Sequence, residues 1–250
     1  MNTEYSGKNY IITGGTSGIG RCICLELSYL GANVALIARN QERLRQTYEK
    51  MSAGNHAAIS FDVNDISGIS GIIDNVYVQY GTIDGFVHCV GSGEASRLSR
   101  LSYDKLHAAM LSGYYAFVEF VRCVAGKRNK AAPLRIVSIS SAASVTHAKH
   151  LTAYAAAKSA LEAATRTLSA EFISKKVTVN AVRPAYVRTA RLATVNELTG
   201  DIEEHLKRTG FQPQGLIEPE DAAKLAIYLL GDAAKSITGM VFSINGGAQC

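Results

Sequence analysis

The chain contains no Cys-x-x-Cys pair, and its five cysteines (Cys22, Cys24, Cys89, Cys123 and Cys250) are odd in number. Reduced thiols in an intracellular, cytoplasmic protein are expected, with no metal site. No run approaches the roughly 18 apolar residues that would span a bilayer, and the opening MNTEYSGKNY has no apolar signal-type core. Neither membrane insertion nor secretion is therefore expected. There is no Pro-, Gly- or Ser-rich linker, no internal repeat and no low-complexity tract, so nothing divides the 250 residues. A nucleic-acid footprint is missing as well. The 26 basic and 21 acidic residues leave a net charge of +5. The densest basic cluster, KRNK (Lys127–Lys130), is short and has no interleaved aromatics.

What is present is alternation. Short apolar runs begin at Tyr10–Ile12 and recur at Asn33–Ala38, Ala57–Val63, Ile83–Val90, Leu134–Ser140, Val177–Val182 and Gly239–Ile244. Between them lie helical patterns at about Ile19–Leu30, at NQERLRQTYEKM, near Ile66–Tyr80, across Tyr103–Ala125 and around Tyr154. Strands alternating with helices of this length imply βαβ units. Near-continuous apolar strands imply a sheet buried on both faces. The expected fold is α/β: one three-layer Rossmann domain over residues 1–250, with a mostly parallel sheet of about seven strands. The polar segment from Ala190 to Gln214 follows a strand end, where elements covering a ligand sit in an open α/β sheet.

TGGTSGIG (Thr13–Gly20) follows the first strand and opens the first helix. Glycines there allow a tight turn and close approach of a ligand. The helix start offers free N–H groups and a positive dipole end to a pyrophosphate. Its G-x-x-x-G-x-G spacing differs from the commoner dinucleotide fingerprint, but its place after the first strand favours a cofactor over an ordinary turn. The second strand ends in Ala38 and Arg39, with no carboxylate for a ribose 2′-hydroxyl. A guanidinium suits a 2′-phosphate instead, so NADP(H) is expected. Asp62 could accept from the adenine amino group or simply form a turn.

YAAAK, Tyr154 to Lys158, sets a phenol and an ammonium one helical turn apart with only alanines between. Together with TGGTSGIG, the Asp62–Val63 pair, ISS before the tyrosine, VNAVRPAYVRT and ITGMVFSINGG, in this order, the chain resembles a short-chain dehydrogenase/reductase over essentially its whole length. It most resembles ketoreductases of the 3-oxoacyl-(acyl-carrier-protein) reductase type. The uninterrupted Tyr-x-x-x-Lys disfavours the enoyl reductase branch, and the length disfavours the sugar-nucleotide epimerase branch.

The resemblance implies a reversible, NADPH-dependent reduction of a ketone or 3-oxoacyl group. Tyr154 would be the general acid. Free tyrosine titrates near about 10, and the Lys158 ammonium would favour the phenolate while also binding the nicotinamide ribose. The alanines would keep the face open for cofactor and substrate. Ser141, thirteen residues before the tyrosine, would hold the substrate oxygen, with Ser140 as its neighbour and competitor. Gly14, Thr16, Ser17, Gly18, Ile19, Gly20, Arg39, Asp62, Val63, Gly91, Pro184, Val187 and Thr189 would complete the cofactor site. A homotetramer or homodimer is implied, packed through the long helices at 103–125 and around Tyr154, with a small-molecule or carrier-bound substrate.

Two positions depart from the family pattern. HCVG (His88–Gly91) replaces Asn-Asn-Ala-Gly, and His88 is read as a hydrogen-bonded core residue. Met110, in MLSG, replaces an asparagine that serves a proton relay in relatives, which Ser112 could reroute. These departures motivate a rival reading: a cofactor-binding sensor or assembly subunit with impaired catalysis.

Overall fold

The computed structural model describes residues 3–91, 95–146, 148–190, 192 and 201–248. Seven strands form one sheet in the order β3-β2-β1-β4-β5-β6-β7, and every pairing is parallel. They are β1 (Asn9–Thr13), β2 (Asn33–Ala38), β3 (Ala57–Ser60), β4 (Gly85–His88), β5 (Leu134–Ile139), β6 (Val177–Pro184) and β7 (Val241–Ile244). The central strands are buried on both faces, which is why they read as unbroken apolar runs. β3 lies at the sheet edge, alternates between half-buried and exposed residues, and stops at Ser60. Asp62 and Val63 therefore stand beyond its end rather than within it.

Eight helices of the described residues flank or cover the sheet: α1 (Gly18–Tyr29), α2 (Gln41–Tyr48), α3 (Ile69–Tyr80), α4 (Tyr103–Met110), α5 (Ala116–Lys127), α6 (Thr152–Phe172), α7 (Ile202–Thr209) and α8 (Pro219–Leu230). One apolar core lies between the sheet and α3, α5 and α6, centred on Ile73, Phe86, Phe117 and Leu161. The other lies between the sheet and α1 and α8, centred on Ile23, Leu27, Ala226 and Leu229. Burial of this kind contributes roughly 25 cal/mol per Å² of apolar surface and dominates the stability of such a domain.

The helix expected across residues 103–125 is continuous but irregular. A π-helical turn, Leu111–Tyr115, separates α4 from α5. By length and composition the whole stretch Tyr103–Lys127 could cross a membrane, yet more than half of its apolar window is buried inside the protein. It is a core helix here. Within the expected covering segment, α7 buries Ile202 and Leu206 and is N-capped by Asp201. The Arg191 and Leu198 of that segment lie outside the described residues.

Candidate active site

The sheet order reverses between β1 and β4, and in open α/β sheets ligands bind outside the carboxyl ends of the strands at such a point. The glycine turn sits there. Gly14 has φ +74, and a Cβ on it would come within 3.0 Å of the Cys89 backbone that leaves β4. Ser17 is extended and makes no side-chain cap, so the first amides of α1 have no side chain of their own helix to satisfy them. A Cβ on Gly18 would stand 3.0 Å from the Thr189 methyl, which puts Thr189 at the mouth of the turn. The residues thus form a cradle of bare backbone and helix N-terminus that suits a dinucleotide pyrophosphate.

At the next strand, Arg39 is exposed and lies 3.5 Å from the Asp62 carboxylate. Asp62 also accepts from the Asn64 N–H at 3.0 Å, so the turn-forming reading of this residue holds. An exposed pair of this kind contributes little, and the guanidinium remains available to a phosphate.

Lys158 is almost completely buried, at 3% exposure. Its Nζ donates to the Ile139 carbonyl at 2.7 Å and to the Val90 carbonyl at 3.3 Å. It therefore fastens α6 to the ends of β4 and β5. A Cβ on Gly91 would fall 2.5 Å from that Nζ, so Gly91 makes room for the lysine. Tyr154 lies in the first turn of α6, half-buried, its ring centroid 5.8 Å from Nζ.

The alanines of YAAAK divide between two roles. Ala157 is buried with Ala153, Ala109, Leu101 and Met110 where α4 meets α6, and a Cβ on Gly113 would sit 3.2 Å from it. Only Ala155 and Ala156 retain solvent exposure. The expectation that all three keep the face open is corrected: Ala157 packs two helices together.

The two serines are distinguished by their partners. Ser140 is buried and donates to Glu162 Oε1 at 2.6 Å. Ser141 is half-buried, caps the turn Ala142–Ser144, and accepts from the Ala143 N–H at 3.2 Å, leaving its hydroxyl hydrogen to donate outward. Glu162 was not anticipated. It follows Tyr154 and Lys158 at i+8 on the same helical face. Ser140, Ser144 and both Nε and Nη2 of Arg183 converge on it. Burial pushes its carboxyl up, but these donors outweigh burial and hold it below the usual carboxylate range. A glutamate on the face that carries Tyr154 and Lys158 was the available signal.

Gln212 was missed as well. At 1% exposure, it accepts from the Tyr186 N–H and donates to the Tyr186 and Gly215 carbonyls. It clamps the loop after β6 that carries Pro184, Val187 and Thr189. Val187 bridges Ile217 through the neighbouring Tyr186 carbonyl and Arg188 N–H, so its own N–H and C=O face away from that bridge.

His88 is fully buried. Its Nε2 donates to the Ser112 carbonyl at 3.1 Å, so Nδ1 accepts from the Thr13 hydroxyl at 3.0 Å. Burial, then the Lys158 cation, push its pKa down to about 3, so it is neutral. It bridges β1 to the π-helical turn that follows Met110. Ser112 donates to the Ala108 carbonyl. Among the described residues no three His, Cys, Asp or Glu side chains gather as a metal site.

These features are those of a short-chain dehydrogenase/reductase, and the chain belongs to that family. The family profile described as Enoyl-(Acyl carrier protein) reductase matches residues 14–249. The 3-oxoacyl-[acyl-carrier-protein] reductase FabG of Chlamydia trachomatis is 29% identical over 246 residues, covering 96% of each chain. A tropinone reductase homolog of Arabidopsis thaliana is 32% identical, covering 97% of this chain and 92% of that protein. A solved variant of actinorhodin polyketide ketoreductase with NADPH superposes with a TM-score of 0.90 at 28% identity, covering 99% of this chain and 98% of the other.

Proposed function

We propose that the protein is a cytoplasmic NADP(H)-dependent ketoreductase, interconverting a ketone or 3-oxoacyl group and its secondary alcohol. The observation that carries this reading is Lys158, buried on two strand-end carbonyls one helical turn from Tyr154. Structural packing alone gives little reason to bury an ammonium here. Gly14, Thr16, Ser17, Gly18, Ile19, Gly20 and Thr189 would hold the cofactor pyrophosphate, and Arg39 its 2′-phosphate. Asp62, Val63 and Gly91 would line the adenosine side. Pro184 and the outward backbone of Val187 would hold the carboxamide, with Lys158 on the nicotinamide ribose.

When bound, NADPH supplies the hydride for the carbonyl carbon. Ser141 would donate a hydrogen bond to the substrate oxygen. Tyr154 would give that oxygen its proton, and the Lys158 cation would stabilise the phenolate left behind. Glu162 would keep Ser140 and Ser144 in place, and through them the turn that presents Ser141. Tyr186 and Phe211, edge to face at 6.3 Å, would form part of the substrate wall near α7.

Carrier-bound delivery has weak support from the basic cluster. Lys127 pairs with Asp74, Arg128 donates to the Ala125 and Lys175 carbonyls, and Asn129 accepts from the Ala131 N–H, so three of the four KRNK residues have structural partners. The exposed ring stack of Tyr103 on His107 on α4 is consistent with a homodimer or homotetramer.

NADPH oxidation measured against a panel of ketones and a 3-oxoacyl thioester tests the proposal. Tyr154→Phe is expected to lower kcat by about 10²–10⁴-fold while NADPH binding, followed by its fluorescence, persists. Binding of NADPH with no turnover across the panel would instead favour the sensor reading.

A further inference from the structure

We propose that Arg188 is a positioning residue that fastens α7 to the coenzyme loop, so that the loop and the helix beside the substrate behave as one body. This rests on the ketoreductase reading of the same site. Arg188 stands between Val187 and Thr189, two residues assigned to the coenzyme, where a guanidinium could have served a phosphate. It is engaged elsewhere. Its Nε donates to Glu218 Oε1 at 2.9 Å and its Nη2 to Glu203 Oε1 at 2.9 Å. One cation shared by two carboxylates has little left to offer an anion.

The two carboxylates belong to different parts of the fold. Glu218 immediately precedes α8, which is anchored in the core through Ala223 and Ala226. The backbone is stitched to the same place: the Arg188 N–H donates to the Ile217 carbonyl at 2.8 Å, and the Ile217 N–H to the Tyr186 carbonyl at 3.0 Å. This side is the frame. Glu203 lies in the first turn of α7. Among the described residues, Arg188–Glu203 is the one ion pair between α7 and another element. Lys207, one turn on, adds a weaker attraction to Glu203 within the helix.

α7 needs such a tie. It has eight residues, and the two it buries are Ile202 and Leu206. A helix this short is not stable by itself in water. A cavity of about 300 Å³, lined by Leu206 and Gly210 and by Gln212 and Pro213, leaves that side loosely packed. The other end of α7 leads to the same loop. Phe211 meets the Tyr186 ring edge to face at 6.3 Å, and Gln212 clamps the Tyr186 backbone. Both ends of α7 are thus held by the loop on which Val187 and Thr189 lie. Coenzyme that stiffens this loop stiffens α7 with it, and the substrate then meets an ordered wall. Half-exposed pairs are individually weak and screened by salt. That suits a tie which has only to shift the docked fraction of one short helix severalfold.

The test uses the full chain as Arg188→Met, Glu203→Gln and the double variant. In each single variant the KM for the best ketone of the panel is expected to rise about threefold to fivefold, with kcat and the KM for NADPH within about twofold. The double variant is expected to be no worse than Arg188→Met, because both changes remove one contact. Arg122→Met, which removes an exposed fork to Glu119 on α5, is expected to leave these constants unchanged. Amide exchange gives a reading that needs no turnover. NADPH is expected to slow exchange at residues 202–209 in the parent but not in Arg188→Met, although its fluorescence shows it bound to both. This pattern without reduction of any ketone would leave the tie standing and sink the ketoreductase reading. The assignment would be overturned by NADPH that leaves 202–209 unchanged in the parent, or by protection that persists in Arg188→Met. Additive effects in the double variant, an equal rise in the KM for NADPH, or the same ketone KM rise in Arg122→Met would overturn it as well.

Discussion

The Glu162 carboxylate, 3% exposed, is held by Arg183 through two hydrogen bonds, Nε to Oε1 at 2.8 Å and Nη2 to Oε2 at 2.6 Å. This fork ties the helix of Tyr154 and Lys158 to β6 just before Pro184. It also sets the anchor for Ser140 and Ser144, on either side of Ser141. One buried ion pair thereby joins three of the segments that converge on the candidate site.

Removing one partner of this pair leaves a buried charge uncompensated. Arg183→Met is expected to destabilise the fold by about 3 kcal/mol, read by urea unfolding. In the folded fraction kcat falls while the KM for NADPH holds, because the loss lies at Ser141. Arg183→Lys, which keeps charge but not the fork, recovers part of the stability. Glu162 accounts for the acid side: its folded carboxyl is depressed, so its contribution is present above the unfolded value and fades as pH falls through the folded one. A variant as stable as the parent at neutral pH would contradict this account.

His88 makes a separate contribution to the pH dependence. Its folded pKa is about 3, against 6.5 for a free imidazole. Between these values the unfolded chain binds the extra proton, so stability rises with pH across this window and is lost on acidification. The slope is at most about 1.4 kcal/mol per pH unit. His88→Asn removes the titrating group, and its stability profile between pH 6.5 and the acid limit is expected to be flatter than the parent's. Parallel profiles would show that His88 does not titrate as its burial requires.

Arg39 is the residue on which coenzyme choice is expected to turn. It gains nothing essential from Asp62, an exposed partner at 3.5 Å. A charge-assisted contact to a 2′-phosphate is worth about 1.5–3 kcal/mol. Arg39→Ala is therefore expected to raise the KM for NADPH by roughly tenfold to a hundredfold and to leave that for NADH nearly unchanged. An equal rise for both coenzymes would place the 2′-phosphate elsewhere.

Much of this architecture is legible in the residues. The central strands stand out because burial on both faces makes them uniformly apolar, and Tyr154 and Lys158 stand out because one helical turn separates them. The edge strand β3 ends at Ser60, short of its apolar run: Phe61 still donates its N–H to the Ala38 carbonyl, and the chain then turns at Asp62. The π-helical turn at Leu111–Tyr115 leaves no mark, because one extra residue per turn hardly disturbs a mostly apolar pattern. Glu162 and Gln212 escape notice for a different reason. A lone polar residue in a helix or loop ordinarily faces water, and its partners here are 21 and 26 residues away.

Gln212 offers the sharpest test of how the loop after β6 is held. Its amide satisfies both backbone groups of Tyr186 and the Gly215 carbonyl, at 3.0, 3.1 and 2.5 Å. Gln212→Leu preserves the bulk but strands the Tyr186 N–H and the Gly215 carbonyl, while the Tyr186 carbonyl keeps its bond from the Ile217 N–H. Each buried unpaired group costs about 1–3 kcal/mol, so the loop is expected to refold locally toward water rather than keep its course. Val187 and Thr189 lie on that loop. The expected result is a KM for NADPH raised at least fivefold, with faster amide exchange confined to residues 185–189 and 212–217. Gln212→Glu, whose carboxylate can still accept from the Tyr186 N–H but cannot donate, should fall between the two. Unaltered coenzyme binding in the leucine variant would show that the loop holds its course without the clamp.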